Sequence, residues 1–236
     1  MDPSPTLRST CVTSIASRRI LELLWNQHLV HQADERVNYY HLFQASDYSA
    51  EAAGWLFEFQ MHRWLRQGLV VELFSVGGGH TTKITHYDGY SASVGGTPTH
   101  VLLLPASDEY YLEEAKKAKE LVIGRYYRPR AQNFATADSL FLIQPSNSPP
   151  ILLVFQFTRN RTDHDVNVDG LNDIKALAPD GTLVYYVAIA LSNLRSTIKT
   201  PVSHFGPAPP TPPDVEFPVF QFPISDQTLF PRGPNQ

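Results

Sequence analysis

The chain has 236 residues, 42% of them of apolar type, with 13 Phe and 11 Tyr among them. That is enough material for a sizeable core, and it excludes a chain disordered throughout. Nineteen basic against 23 acidic residues give a net charge of −4, which excludes a global nucleic-acid footprint and leaves any such binding to local patches. A single cysteine, Cys11, excludes an internal disulfide and a zinc site with two thiolates. No apolar run approaches the roughly 18 residues of a membrane span, and the first 30 residues lack a signal-peptide core. The expectation is a soluble intracellular α/β or α+β protein of nucleus or cytoplasm, with no membrane partner.

Residues 1–12 are polar and read as a flexible start. Residues 14–41 turn helical, with Ile20, Leu23, Leu24, Leu29 and Val30 as the apolar positions. His28 and His31 share a face there, but no further ligands accompany them, so a solvated face is the expectation. Between Glu51 and Gln67 a clearer helix carries Ala53, Leu56, Phe57, Met61, Trp64 and Leu65 as one stripe, and Gly68 stops it. On that wheel Glu58 flanks the Met61/Leu65 edge. Residues 69–74 read as a buried strand and residues 75–98 as a Gly-rich hairpin or inserted loop. Gly77-Gly78-Gly79 with Lys83 lacks the Gly-Lys-Ser/Thr order of a phosphate loop.

Residues 99–104 form the next strand, and residues 110–121 an exposed helix with Glu113 and Lys117 at i,i+4. Strands follow over 137–143 and 151–158 around the turn 144–150, then a short helix over 169–177 and a buried strand over 182–191. Ten of the 19 prolines fall in the last 36 residues, which excludes regular helix there and leaves an edge strand over 215–224.

The most informative chemistry lies on the two strands around the 144–150 turn. A hairpin centred on Asn147 pairs Ile143 with Ile151 and sets Asp138 opposite Gln156. Period-two alternation puts Gln156 and Thr158 on one face, and this register adds Asp138. Three polar side chains thus meet at the far end of an apolar hairpin, where they need partners or water. Either they build a site or they mark strand ends.

The element order resembles the core of the restriction-endonuclease-like fold, the PD-(D/E)XK superfamily: helix with Glu58, strand, strand with Asp138, strand with Gln156-x-Thr158, helix, strand. More narrowly, Phe155-Gln156-Phe157-Thr158, then His164, then Gly170-Leu171 is similar to the nuclease-like domain of Crinkler and retrotransposon-hot-spot proteins. So are Tyr127-Arg128-Pro129 through Asn133-Phe134 to Asp138, and Gly54-Trp55-Leu56-Phe57-Glu58. The resemblance covers residues 50–191. It implies an α/β fold with a mixed central sheet flanked by helices, and metal-assisted phosphodiester cleavage in which carboxylates hold Mg²⁺ and a lysine stabilises the developing charge.

Carried over, the resemblance makes Glu58 and Asp138 metal ligands, with Gln156 in place of the second acidic ligand, Thr158 in place of the lysine, and His164 as a residue of the shared pattern. An amide oxygen is a weaker Mg²⁺ ligand than a carboxylate, and threonine supplies no charge. Two readings result: an Mg²⁺-dependent DNase or RNase with a degenerate Gln-x-Thr motif, or a catalytically inactive pseudo-nuclease that binds nucleic acid or protein. In these families the domain often follows a phosphate-loop NTPase, which implies association with an NTPase domain or a partner protein. A third reading is an unrelated interaction protein that uses its Pro-rich tail.

Two basic segments suit nucleic acid. Arg125-Tyr126-Tyr127-Arg128-Pro129-Arg130 sets three cations among aromatics just before Asp138, and Arg159 and Arg161 follow Gln156. The expected organisation is an N-terminal helical extension over 1–49, the nuclease-like domain over 50–200 and a Pro-rich tail over 201–236.

Overall fold

The computed structural model describes residues 17–29, 32–45, 50–75, 87–88, 100–131, 134, 136–158, 167–191, 202–203, 218–224 and 229. The chain divides into two compact units, Met1–Met61 with Asp226–Gln236, and His62–Ser225.

The first unit is helical. α1 (Arg18–Leu24) is capped by the Ser17 side chain, which accepts from the Arg19 N–H, and runs on into a π-helical turn, Trp25–Leu29. α2 (Ala33–Gln44) starts afresh, with Asp34 and Glu35 in its first turn, where acidic side chains favour a helix N-terminus. The single helix expected over 14–41 is therefore two helices. Its apolar positions fit one stripe, but a new N-terminus at Ala33 overrides that continuity. α3 (Ala50–Leu65) begins in this unit and ends in the other. Arg18 Nη1 donates to Glu58 Oε2 at 2.9 Å while Nη2 donates to Oε1, a two-pronged ion pair, and the same guanidinium lies over the Phe59 ring. Gln60 Nε2 donates to the Leu229 carbonyl at 2.9 Å, which ties Leu229 to α3.

The second unit holds an eight-stranded mixed sheet. Its strands are β1 (Gln67–Ser75), β3 (His100–Ala106), β4 (Glu109–Tyr111), β5 (Arg125–Arg128), β6 (Ser139–Ile143), β7 (Ile151–Thr158), β8 (Leu183–Leu191) and β10 (Val219–Ile224), in the order β3-β1-β10-β8-β7-β6-β5-β4. β2 (Tyr87–Asp88) and β9 (Val202–Ser203) form a separate two-stranded ladder. Helix α4 (Leu112–Ala118) links β4 to β5, and α5 (Val168–Lys175) links β7 to β8; both strand pairs are parallel, as such crossovers require.

Central strands β6 and β7 are apolar on both sides because both faces are covered. Leu140, Leu142, Leu152 and Val154 pack with Tyr127, Val184 and Tyr186 against Leu112 and Ala115 of α4 and Leu171 and Ile174 of α5. On the opposite face His62, in the last turn of α3, meets Tyr126 and Phe157 edge-on, and Trp64 stacks on Phe222.

One expectation changes here, and residues 125–128, for which the sequence pattern predicts no element, form a strand, so their side chains alternate between the two faces. The strand expected at an edge over 215–224 lies inside the sheet, parallel to β8 along its whole length and, among the described residues, antiparallel to β1 only at Gln221 and Phe220. Pro223 sits beyond that second pairing, on a stretch laddered to β8 alone among the described residues, which is how an interior strand accommodates proline.

Candidate functional site

The β6–β7 hairpin has the register that period-two alternation predicts. Ile143 pairs with Ile151 and Ser139 with Phe155, and the turn residue Asn147 takes a left-handed φ of 60°. Asp138 is the next residue outward. Its N–H donates to the Phe155 carbonyl at 2.9 Å, and its Oδ2 accepts from the Phe157 N–H at 2.6 Å and from Gln156 Nε2 at 2.7 Å. The carboxylate thus closes the ladder where β6 begins and takes the Gln156 amide as a donor. Asp138 and Gln156 lie on the sheet face covered by α4 and α5.

Next to this pair the start of α5 is clamped. Asn167 caps the helix, its Oδ1 accepting from the Gly170 N–H at 3.0 Å, and its Nδ2 donates to Thr136 Oγ1 at 3.3 Å. Thr136 is buried two residues before Asp138. The Gly170-Leu171 pair of the sequence pattern has a physical basis here: Leu171 fills the core, and Gly170 leaves room for the Thr136 hydroxyl.

The remaining sequence-derived site residues are distributed as follows. Glu58 is in the helical unit, paired with Arg18. The Thr158 backbone pairs with Ala190 at the end of β7. Arg159, Arg161 and His164 lie outside the described residues, as do His31 and residues 76–86 with the glycine run. Arg125 stacks on the Tyr110 ring at 4.4 Å and Arg130 on Tyr111 at 4.2 Å. Arg130 also donates from its backbone N–H to the Glu113 carboxylate and from Nη2 to Glu114 Oε1 at 3.0 Å. Tyr127 is 3% exposed, and its hydroxyl accepts from the Val122 N–H at 2.8 Å, so this ring belongs to the core and not to a base-stacking surface. Alternation along β5 separates Arg125 and Arg128 to opposite faces.

Two polar groupings were not apparent from the sequence. His62 Nδ1 and Tyr126 Oη are 2.6 Å apart, both buried, and burial pushes the Tyr126 phenol well above its ordinary pKa. Above them Glu109 lies between Arg66 and Arg128, with each guanidinium at 3.8 Å. These pairs join residues far apart in the chain, and no local pattern announces them.

Among the described residues no three or more His, Cys, Asp and Glu side chains gather as a metal site, and no helix is long and apolar enough to cross a membrane. As arranged, the Gln156 amide turns its N–H, and not its oxygen, toward the Asp138 carboxylate. One carboxylate and one amide make a weaker Mg²⁺ donor set than two carboxylates. Compared with known proteins, the chain matches no family model, no curated protein and no solved structure.

Proposed function

We propose that this chain is a nuclease-like domain that binds nucleic acid, DNA or RNA, without cutting it. The observation that carries the reading is the make-up of one contact: the Asp138 carboxylate meets a neutral amide and not a second carboxylate, with Gln156 Nε2 donating to Asp138 Oδ2 at 2.7 Å. Two carboxylates held that close repel each other and call for a cation between them, whereas a carboxylate and an amide donor attract. The pair therefore keeps its geometry without metal. Support for a restriction-endonuclease-like scaffold comes from the run β5–β6–β7–α5–β8, a three-stranded antiparallel meander, a helix and a parallel strand, although β1 to β4 and α4 stand between it and the Glu58 helix α3. Asp138 stands at the start of the middle strand and Gln156 near the end of the third. An Mg²⁺-dependent nuclease on the same scaffold needs the Gln156 amide reversed and a cation in place of Thr158. Association with an NTPase domain or partner protein is the accompanying proposal from the same resemblance.

The test compares the natural chain with Gln156→Glu/Thr158→Lys on labelled single- and double-stranded DNA and RNA, with and without Mg²⁺. The natural chain is expected to retain nucleic acid uncut, and the double variant to gain Mg²⁺-dependent cutting. Cutting by the natural chain, or failure to bind any of the probes, overturns the reading.

A further inference from the structure

We infer that Arg66 and Arg128 form an oxyanion site for one phosphate group, on the sheet face opposite the Asp138–Gln156 pair. Arg66 follows α3, Arg128 ends β5, and Glu109 of β4 lies between them. Arg66 Nη1 is 3.8 Å from Glu109 Oε2, and Arg128 Nη1 is 3.8 Å from Oε1. At that separation the contacts are attractions between charges and not hydrogen bonds, so the terminal N–H groups keep their donor capacity. Arg66 spends Nε on the His62 carbonyl at 3.2 Å; among the described residues the terminal nitrogens of both guanidiniums donate no hydrogen bond.

The side chains of Arg66, Arg128 and Glu109 are 32%, 19% and 22% exposed, which shields them from salt more than a fully solvated pair. Two positive charges against one negative leave a surplus of one, equal to the charge of a phosphodiester. Guanidinium forks match phosphate oxygens, and two forks on one carboxylate present donors from two directions. Arg125 and Arg130 differ: both lie over tyrosine rings, and Arg130 is already bonded to Glu113 and Glu114. Sequence proximity grouped Arg128 with those two, whereas the fold groups it with Arg66.

The phosphate has two possible sources, a nucleic-acid backbone or a free phosphate, and the first rests on the function proposed above. The experiment titrates a labelled single-stranded oligonucleotide, and separately pyrophosphate, into the full chain, Arg66→Gln/Arg128→Gln and Glu109→Gln. Loss of the donors is expected to weaken binding roughly ten- to a hundredfold. Glu109→Gln removes the competing carboxylate and is expected to tighten binding, an effect that a purely structural ion triad does not give. Should the double variant fail to fold, Glu109→Gln decides by itself. Oligonucleotide binding that ignores all three substitutions overturns the site and leaves the proposed function standing. Pyrophosphate binding with the expected pattern, without oligonucleotide binding, keeps the site and overturns the nucleic-acid reading. Binding of neither probe overturns both.

Discussion

A Cβ placed on Gly170 would lie 2.1 Å from Thr136 Oγ1, so the first turn of α5 touches the residue two before Asp138 with no room for a methyl group. Gly170→Ala gains helix propensity of about 1 kcal/mol but overpacks this contact, at about 1–3 kcal/mol. Net destabilisation is expected in urea denaturation. Adding Thr136→Ala removes the obstructing oxygen, and part of the loss should return. Equal midpoints for the natural chain and Gly170→Ala would contradict the close approach.

Asp138 holds the end of the hairpin through its carboxylate. Asp138→Ala leaves the Phe157 N–H and the Gln156 amide without this acceptor, and a buried donor left unpaired costs about 1–3 kcal/mol. Asp138→Asn keeps an oxygen for the Phe157 N–H and should lose less. The denaturation midpoints should fall in the order natural chain, Asn, Ala; an Ala variant as stable as the natural chain would show that the ladder closes without this side chain.

Stability should bend at both ends of the pH scale. Burial raises the Tyr126 phenol, so the folded state keeps that proton more firmly than the unfolded chain. The resulting stability is complete below the unfolded value near 10 and is lost as pH rises beyond it. Burial lowers His100, which lies between Tyr185 and Phe220, so its contribution is complete above 6.5 and is lost as pH falls below that value. Melting across pH should show a flatter alkaline limb in Tyr126→Phe and a flatter acid limb in His100→Gln. At neutral pH Tyr126→Phe should also lose about 1–3 kcal/mol, because it takes the hydroxyl from His62.

The hairpin was legible because two physical constraints agree: apolar side chains on both strands, and a turn centred on Asn147 that fixes which residues oppose. The meeting of Asp138 and Gln156 follows from that register. The direction of their hydrogen bond does not, since an amide turns to suit whatever faces it. Strand β5 was hidden because Arg-Tyr-Tyr-Arg reads as a basic segment suited to nucleic acid; tertiary contacts with Tyr110 and Glu109 receive Arg125 and Arg128 instead. β10 was read as an edge because Pro223 lacks an N–H, and the sequence does not show that β1 pairs with only its first half. Arg66 reaches Glu109 through the β3–β4 link, where the Ser107 N–H donates to the Arg66 carbonyl, and Glu109 and Arg128 meet through the β4–β5 pairing; no local pattern encodes either relation.

The segment 125–130 bears on binding as well. Arg130 is paired with Glu114, and both side chains are more than half exposed, so Arg130→Ala should change nucleic-acid affinity little. Arg128→Ala should reduce the log–log salt slope by about 0.7–0.9, the loss of one phosphate contact. Affinity measured across a salt series separates the two. A larger effect from Arg130 than from Arg128 would place the interface at Arg130 and against the Arg66–Arg128 site.

The most direct measurement is a gel assay of the purified chain on labelled single- and double-stranded DNA and RNA, in Mg²⁺ and in EDTA. The hydrogen-bonded Asp138–Gln156 pair of the proposed function predicts retained, full-length nucleic acid in both conditions, with equal affinity. Mg²⁺-dependent shortening of the probe that disappears in Asp138→Ala would contradict it.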